Sequence, residues 1–254
     1  MSSKKIPQKK GIGAAAHWLW EQIKSLGVAI IIVLAVRSSV IEAFKIPSGS
    51  MIPTLMVGDY IFVNKFAYGW KAPFWDWFVR EPLHIGPSTL PERGDVIVFK
   101  YPKDESLHYI KRVVGLPGDR VAVHGKVIYL NGTPVKRELA ESPSAVVASI
   151  EGREYDKSAL QLFNEDVPGR PLKHYVLADS SRPYFANSGE VEVPEGHLFV
   201  MGDNRDYSAD SRVWGFVPLT NVRGKALFIW FSLWLDFGKG EYFFHPERVG
   251  TVIR

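Results

Sequence analysis

The 254-residue chain contains no cysteine. That one absence removes disulfide bonds, thiol nucleophiles and thiolate metal sites, and leaves the compartment undecided. Zinc-protease and hydrolase-elbow signatures are missing too. The seven histidines (His17, His84, His108, His124, His174, His197 and His245) are scattered, with no HExxH pair and no serine in a GxSxG context. There is no internal repeat and no basic stripe, so a net charge of +4 does not point to nucleic acid. Long apolar runs are scarce: Leu26 to Val36 is the one strong run, and Lys225 to Leu235 is too short to span a bilayer.

What is present supports a folded, β-rich protein. A hydrophobic content of 46% against 23% charged residues is enough to bury a substantial core. Seventeen prolines and 22 glycines imply many turns. The only basic block is Lys4, Lys5, Lys9 and Lys10. The apolar run behind it is shorter than the roughly 20 residues a spanning helix needs. Lys24 and Arg37 can snorkel and Trp18 and Trp20 suit an interface, so a span from about Trp20 to Ile41 is expected, with the lysines inside. A cleaved secretory signal and a buried core helix are the alternatives. The segment after Ala35 (Val36-Arg37-Ser38) makes a poor cleavage site.

Beyond residue 37 the pattern is of short strands. Tyr60 to Phe66 and Asp95 to Lys100 are β-branched and aromatic, separated by a Trp- and Pro-rich loop from Tyr68 to Arg93. Val121 to Val135 reads as strand, turn, strand and an Asn131-Gly132 hairpin turn. Residues 136–170 look polar and irregular, an insertion. Strand signals return at His174 to Leu177 and His197 to Met201. Lys225 to Leu235 is apolar on both faces, a buried strand or a lipid-touching surface. The expected fold is mostly β: an N-terminal transmembrane helix, then a β-rich catalytic domain with a smaller inserted β subdomain. The expected division is 1–37 tail and anchor, 38–120 and 197–254 catalytic domain, 121–196 inserted subdomain.

Three stretches carry chemistry. PSGSMIPTL (Pro47 to Leu55) exposes the Ser50 hydroxyl on a stiff turn after the apolar segment. YIKRVVGLPGD (Tyr109 to Asp119) sets a lysine in an apolar run. GDNRDYSADSRVWG (Gly202 to Gly215) gathers polar and charged groups before Trp214. A serine is a poor nucleophile until a base takes its proton. A lysine can do so when neutral, which requires its pKa to fall by about 3 units through burial. Strand alternation places Tyr109, Lys111 and Val113 on one face, with Ile110 and Arg112 on the other, solvated, face. The plain alternative is an ordinary edge-strand lysine. For the third stretch a calcium loop is the alternative, but Arg205 and Tyr207 interrupt the ligand pattern.

In this order the three stretches resemble the type I signal (leader) peptidase family of membrane-bound bacterial Ser-Lys proteases, over about Ala35 to Gly240. The resemblance implies Ser50 as nucleophile and Lys111 as general base. It implies an oxyanion hole from the Ser48 hydroxyl and the Ser50 N–H, Ser208 orienting the lysine, and Asp210 with Arg212 as a structural ion pair. Asp203, Asn204 and Arg205 would be structural members of the same motif. It implies substrate binding by Ile46, Pro47, Met51, Leu55, Tyr109 and Ile110, in an added β-strand along 43–50 and 108–111. The implied partners are secretory preproteins cut after small residues at −1 and −3, and the lipid bilayer. No metal or other cofactor is implied. The implied location is the bacterial inner membrane, N-terminus inside and catalytic domain outside. Tyr207 departs from the small polar residue expected beside Ser208, and any family disulfide in the insertion is ruled out. Three other readings remain: a repressor-type Ser-Lys autoprotease, a non-catalytic anchored protein that binds extended peptides, and a Ser50–His108–Asp203 hydrolase.

Overall fold

The structure, a computed structural model, describes residues 11–71, 84–141, 146–147, 150, 155–182, 187–236 and 241–254. The lysine block, most of the Trp- and Pro-rich loop and parts of the 136–170 stretch lie outside them.

Helix α1 (Gly11–Ser39) leads into a mostly β chain. Its stretch His17–Arg37, 21 residues, is the one helix among those described that is long and apolar enough to cross a membrane. At 1.5 Å per residue it extends about 31 Å, the thickness of a bilayer's hydrocarbon core. Leu26, Ile31 and Val33 are all more than half exposed, so the helix packs into no protein core. The expected span ended at Ile41. Instead the helix stops at Ser39 and Ile41 opens a strand, because the β-branched and aromatic run that follows pairs with Tyr60 to Asn64.

The strands are β1 (Ile41–Lys45), β2 (Asp59–Asn64), β3 (Trp70–Lys71), β4 (His84–Ile85), β5 (Val96–Tyr101), β6 (Asp104–Gly115), β7 (Arg120–His124), β8 (Val127–Leu130) and β9 (Thr133–Pro134). They continue with β10 (Arg137–Leu139), β11 (Leu160–Asp166), β12 (Lys173–Asp179), β13 (Ser188–Glu192), β14 (His197–Met201), β15 (Val217–Pro218), β16 (Val222–Asp236) and β17 (Glu241–Phe244). One large antiparallel sheet runs β1-β2-β16-β5-β6-β14-β15, with β17 on β16. Its strands come from two stretches of chain that flank the smaller sheets β13-β7-β8-β9 and β10-β11-β12.

Alternation along β5 and β6 explains the core. Val96, Val98 and Ile110 pack with Ile46, Met51, Leu55 and Ile61 on one side. Ile97, Phe99, Val113 and Tyr109 pack with Val200, Trp214 and Val217 on the other. Because both faces are covered, Arg112 is not solvated as expected but only 1% exposed. Its charge is met by Asp203, at 2.8 Å from Nε and 2.6 Å from Nη2, while Nη1 donates to the carbonyls of Gly94 and Arg254. The pair therefore ties β6 to the loop after β14 and to the C-terminus.

One further reading is corrected. The 136–170 stretch is not irregular throughout, since β10 and β11 lie within it and Leu160 and Leu162 point into a small core with Leu177. Strand β16 has one buried edge of side chains (Ala226, Ile229, Ser232) and one half-exposed aromatic face, where Phe62 stacks on Trp230 at 5.4 Å. The Asn131-Gly132 turn is present, with φ of 52° and 78°, as a two-residue hairpin of that type requires.

Removing one partner of a buried, hydrogen-bonded pair leaves a bare charge in the core. Asp203→Ala is therefore expected to lower the unfolding free energy by about 3–5 kcal/mol, measured by urea denaturation of the detergent-solubilised chain. Combining Arg112→Met with Asp203→Leu is expected to recover most of the loss. A single variant as stable as wild type would show the pair to be dispensable.

Candidate active site

Three segments converge at one edge of the large sheet. The first is a 3-10 turn, Gly49–Met51, held by Ile52 N–H donating to Gly49 O at 3.2 Å. It presents Ser50 half-exposed above the core residue Met51. The second is β6, where Lys111 pairs in register with Ile97 and is 4% exposed. The third is the loop from Gly202 to Asp210, closed by helix α2 (Ser211–Trp214), which Asp210 caps.

Lys111 Nζ donates to Ser50 Oγ at 2.7 Å and to its neighbour Ile110 O at 2.9 Å. Burial pushes its pKa down from 10.5 to about 8. Among the described residues no carboxylate lies within ion-pair distance of Nζ. The two nearby ones, Asp210 and Asp203, pull the pKa up only in part, and each is engaged by an arginine. Arg212 holds Asp210 at 2.8 Å through both Nε and Nη2, and its Nη2 also donates to Arg205 O. The Asp210–Arg212 ion pair that the resemblance implies is present. Arg205 is locked in turn by Glu165 of β11, at 2.9 and 2.6 Å. That tie was not legible in sequence, because Glu165 sits in a stretch without a clear pattern.

The expected hydrogen bond from Ser208 is corrected. Its Oγ is buried and without a hydrogen-bond partner among the described residues, while Lys111 turns to Ser50 and Ile110. Ser208 instead packs against Gly202. A Cβ there would collide with Ser208 Oγ and Ser50 O, so only glycine allows the two segments to approach.

The open cleft beside the pair is lined by Pro47, Ser48, Gly49 and Ser50, by His108 to Lys111, and by Tyr155, Tyr207 and Ala209. Pro47, Tyr109 and Ile110 thus reach it as expected. Ile46, Met51 and Leu55 do not. They are at most 2% exposed and build the core beneath. Tyr207, the residue out of pattern, donates to Asp179 of β12 at 2.6 Å and packs on Tyr155 at 4.6 Å. Burial, followed by the Asp179 carboxylate, pushes its phenol up to about 12. Tyr155, which carries no sequence signal, stands just before β11 in the chain and reaches the rim of the Ser50 turn. Of the Ser50–His108–Asp203 alternative, His108 also lines the cleft, but the group in hydrogen-bond contact with Ser50 Oγ is Lys111, and Asp203 is committed to Arg112.

A hydroxyl paired with a buried, partly neutral amine in an open cleft is the equipment of a serine peptidase. The chain belongs to the S26 signal peptidases: the family model described as signal peptidase, peptidase S26, matches residues 19–231. Signal peptidase I of Pseudomonas fluorescens is 41% identical over 245 residues, covering 92% of this chain and 79% of that protein. Signal peptidase I of Rickettsia canadensis is 40% identical over 220 residues, covering 84% and 80%. A solved signal peptidase I from Enterococcus faecalis V583 is 28% identical, covering 54% of this chain and 97% of that one, with a TM-score of 0.31.

The lowered pKa has a consequence for stability. Between pH 8 and 10.5 the unfolded chain holds more protons at Lys111 than the folded one, so this group's contribution to stability rises with pH across that window. Below it the buried ammonium costs on the order of 3 kcal/mol. Lys111→Met is expected to be more stable than wild type at pH 7, with the gap closing as pH approaches 10.5. Denaturation midpoints measured across pH check this, and a variant less stable than wild type at pH 7 would contradict it.

Proposed function

We propose that the chain removes signal peptides from secretory preproteins with a Ser50–Lys111 dyad. The observation that carries this reading is the 2.7 Å contact between Lys111 Nζ and Ser50 Oγ, at a lysine whose pKa burial brings to about 8. Neutral Lys111 takes the Ser50 proton as Oγ adds to the scissile carbonyl. The oxyanion that forms is met by the Ser50 N–H and the Ser48 hydroxyl. Lys111 then gives its proton to the departing amine as the C–N bond breaks. A water, deprotonated by the same amine, releases the acyl group and restores Ser50.

The preprotein lies extended along 43–50 and 108–111, gaining main-chain hydrogen bonds as an added strand. In this reading the side chains at −1 and −3 are small and sit in the cleft that Pro47, Tyr109 and Ile110 line. In this reading 38–120 and 197–254 form the catalytic domain and 121–196 the inserted subdomain. Helix α1 spans the bacterial inner membrane with the N-terminus inside, which keeps the site beside substrates held in the same bilayer.

The test is cleavage of a preprotein carrying an Ala-x-Ala site by the detergent-solubilised chain. Ser50→Ala and Lys111→Met are each expected to lose at least ~10⁴-fold in kcat, with His108→Ala near wild type. For wild type, kcat/KM is expected to climb about tenfold per pH unit up to a break near 8, since the neutral amine is the active form. Activity retained in Lys111→Met would rule the dyad out. A wild type that binds the peptide but never cuts it would favour a non-catalytic binding protein.

A further inference from the structure

We propose that Asn204 is the positioning residue that aims the Ser50 N–H into the cleft, and that Tyr155, from the inserted segment, holds the Asn204 amide in the orientation this needs. The proposal rests on the reading of Ser50 as the nucleophile and its own N–H as an oxyanion donor.

Asn204 is fully buried and grips two successive carbonyls of the nucleophile turn. Its backbone N–H donates to Ser50 O at 3.2 Å, and its side-chain Nδ2 donates to Gly49 O at 2.9 Å. The Gly49–Ser50 peptide is a single rigid plane, with the Gly49 carbonyl at one edge and the Ser50 N–H at the other. Ser50 is not proline, so this plane is trans and its two polar groups point in opposite directions. Pinning the carbonyl toward buried Asn204 turns the N–H the other way, toward the cleft that Ser48, Gly49 and Ser50 line. The Ile52 N–H also reaches the Gly49 carbonyl, at 3.2 Å, so Asn204 adds a second, shorter hydrogen bond to the one the turn itself supplies.

Gly49 O decides which end of the amide faces the turn, and Tyr155 holds that end in place. A carbonyl only accepts, so Gly49 O requires the NH₂ end, and the same Nδ2 donates to Tyr155 Oη at 3.2 Å. Asn204 Oδ1 is left buried without a hydrogen-bond partner. The amide is therefore held by its donors alone, the ones that set the peptide plane. Tyr155 sits directly over the turn: a Cβ on Gly49 would come within 2.6 Å of Tyr155 Oη. Its ring in turn packs on Tyr207, which Asp179 anchors. The insertion thus contributes a group to the alignment of the nucleophile turn.

The test uses the full chain, a cleavable peptide, a peptide aldehyde that forms a tetrahedral adduct on Ser50, and an uncleavable peptide as a ground-state probe. For Asn204→Ala, kcat is expected to fall ~10²-fold with KM within about threefold. Aldehyde affinity should fall in parallel, while affinity for the uncleavable peptide and the acid limb of the pH profile stay put. Tyr155→Phe is expected to move the same quantities in the same direction by about fivefold. A folded Asn204→Ala with wild-type kcat, or equal losses for the aldehyde and the uncleavable peptide, would overturn the proposal. If Asn204→Ala does not fold, Tyr155→Phe decides, and an unchanged kcat there overturns it. Activity surviving in Ser50→Ala would instead remove the underlying reading.

Discussion

A buried amine with no counter-ion of its own sets the terms for the rest of this site. Lys111 is 4% exposed, and burial is the largest influence on its pKa. An ordinary solution would bring a carboxylate beside it, which would restore the charge and leave no amine able to take a proton. Here the two carboxylates near enough to do so are each claimed by an arginine: Asp203 by Arg112 and Asp210 by Arg212. The ion pairs are therefore more than scaffolding. They keep negative charge in the neighbourhood, where it steadies the loop, yet away from Nζ, where it would fix a proton.

The same pairs explain how segments far apart in sequence meet with hydrogen-bond accuracy. Arg112 stands next to Lys111 on β6 and reaches Asp203, so the strand and the loop are joined beside Lys111. Arg205 ties that loop to β11 through Glu165. Asn204 and Ser208, on the same loop, contact the Ser50 turn, one by hydrogen bonds and the other by packing across Gly202. Buried ion pairs contribute little net stability against apolar packing. What they contribute here is geometry, since each requires its partner in one place.

Much of this was legible from the chain alone, and the limits have physical causes. The strand around DVIVFK and the Asn131-Gly132 turn are local signals, and both are present. The serine and lysine stretches were found by composition and order, and the resemblance they carry agrees with the family. Arg112 was misplaced because alternation assigns a face but cannot say that both faces are covered. Its partner lies 91 residues on. Ile46, Met51 and Leu55 were assigned to the cleft wall, but apolar residues next to a nucleophile fit a core floor equally well. Strand β11 was missed because polar residues interrupt its alternation. Tyr155 had no signal, since its meaning lies wholly in what it touches.

The most direct measurement is the titration of Lys111 itself, from the Cε and Nζ resonances of lysine-labelled protein in detergent, with Lys111→Arg to assign the signal. One lysine titrating near pH 8, and missing in the variant, is the result expected from burial without a counter-ion. A Lys111 that titrates near 10.5 with the other lysines would contradict the account, because a permanently charged amine cannot take the proton from Ser50.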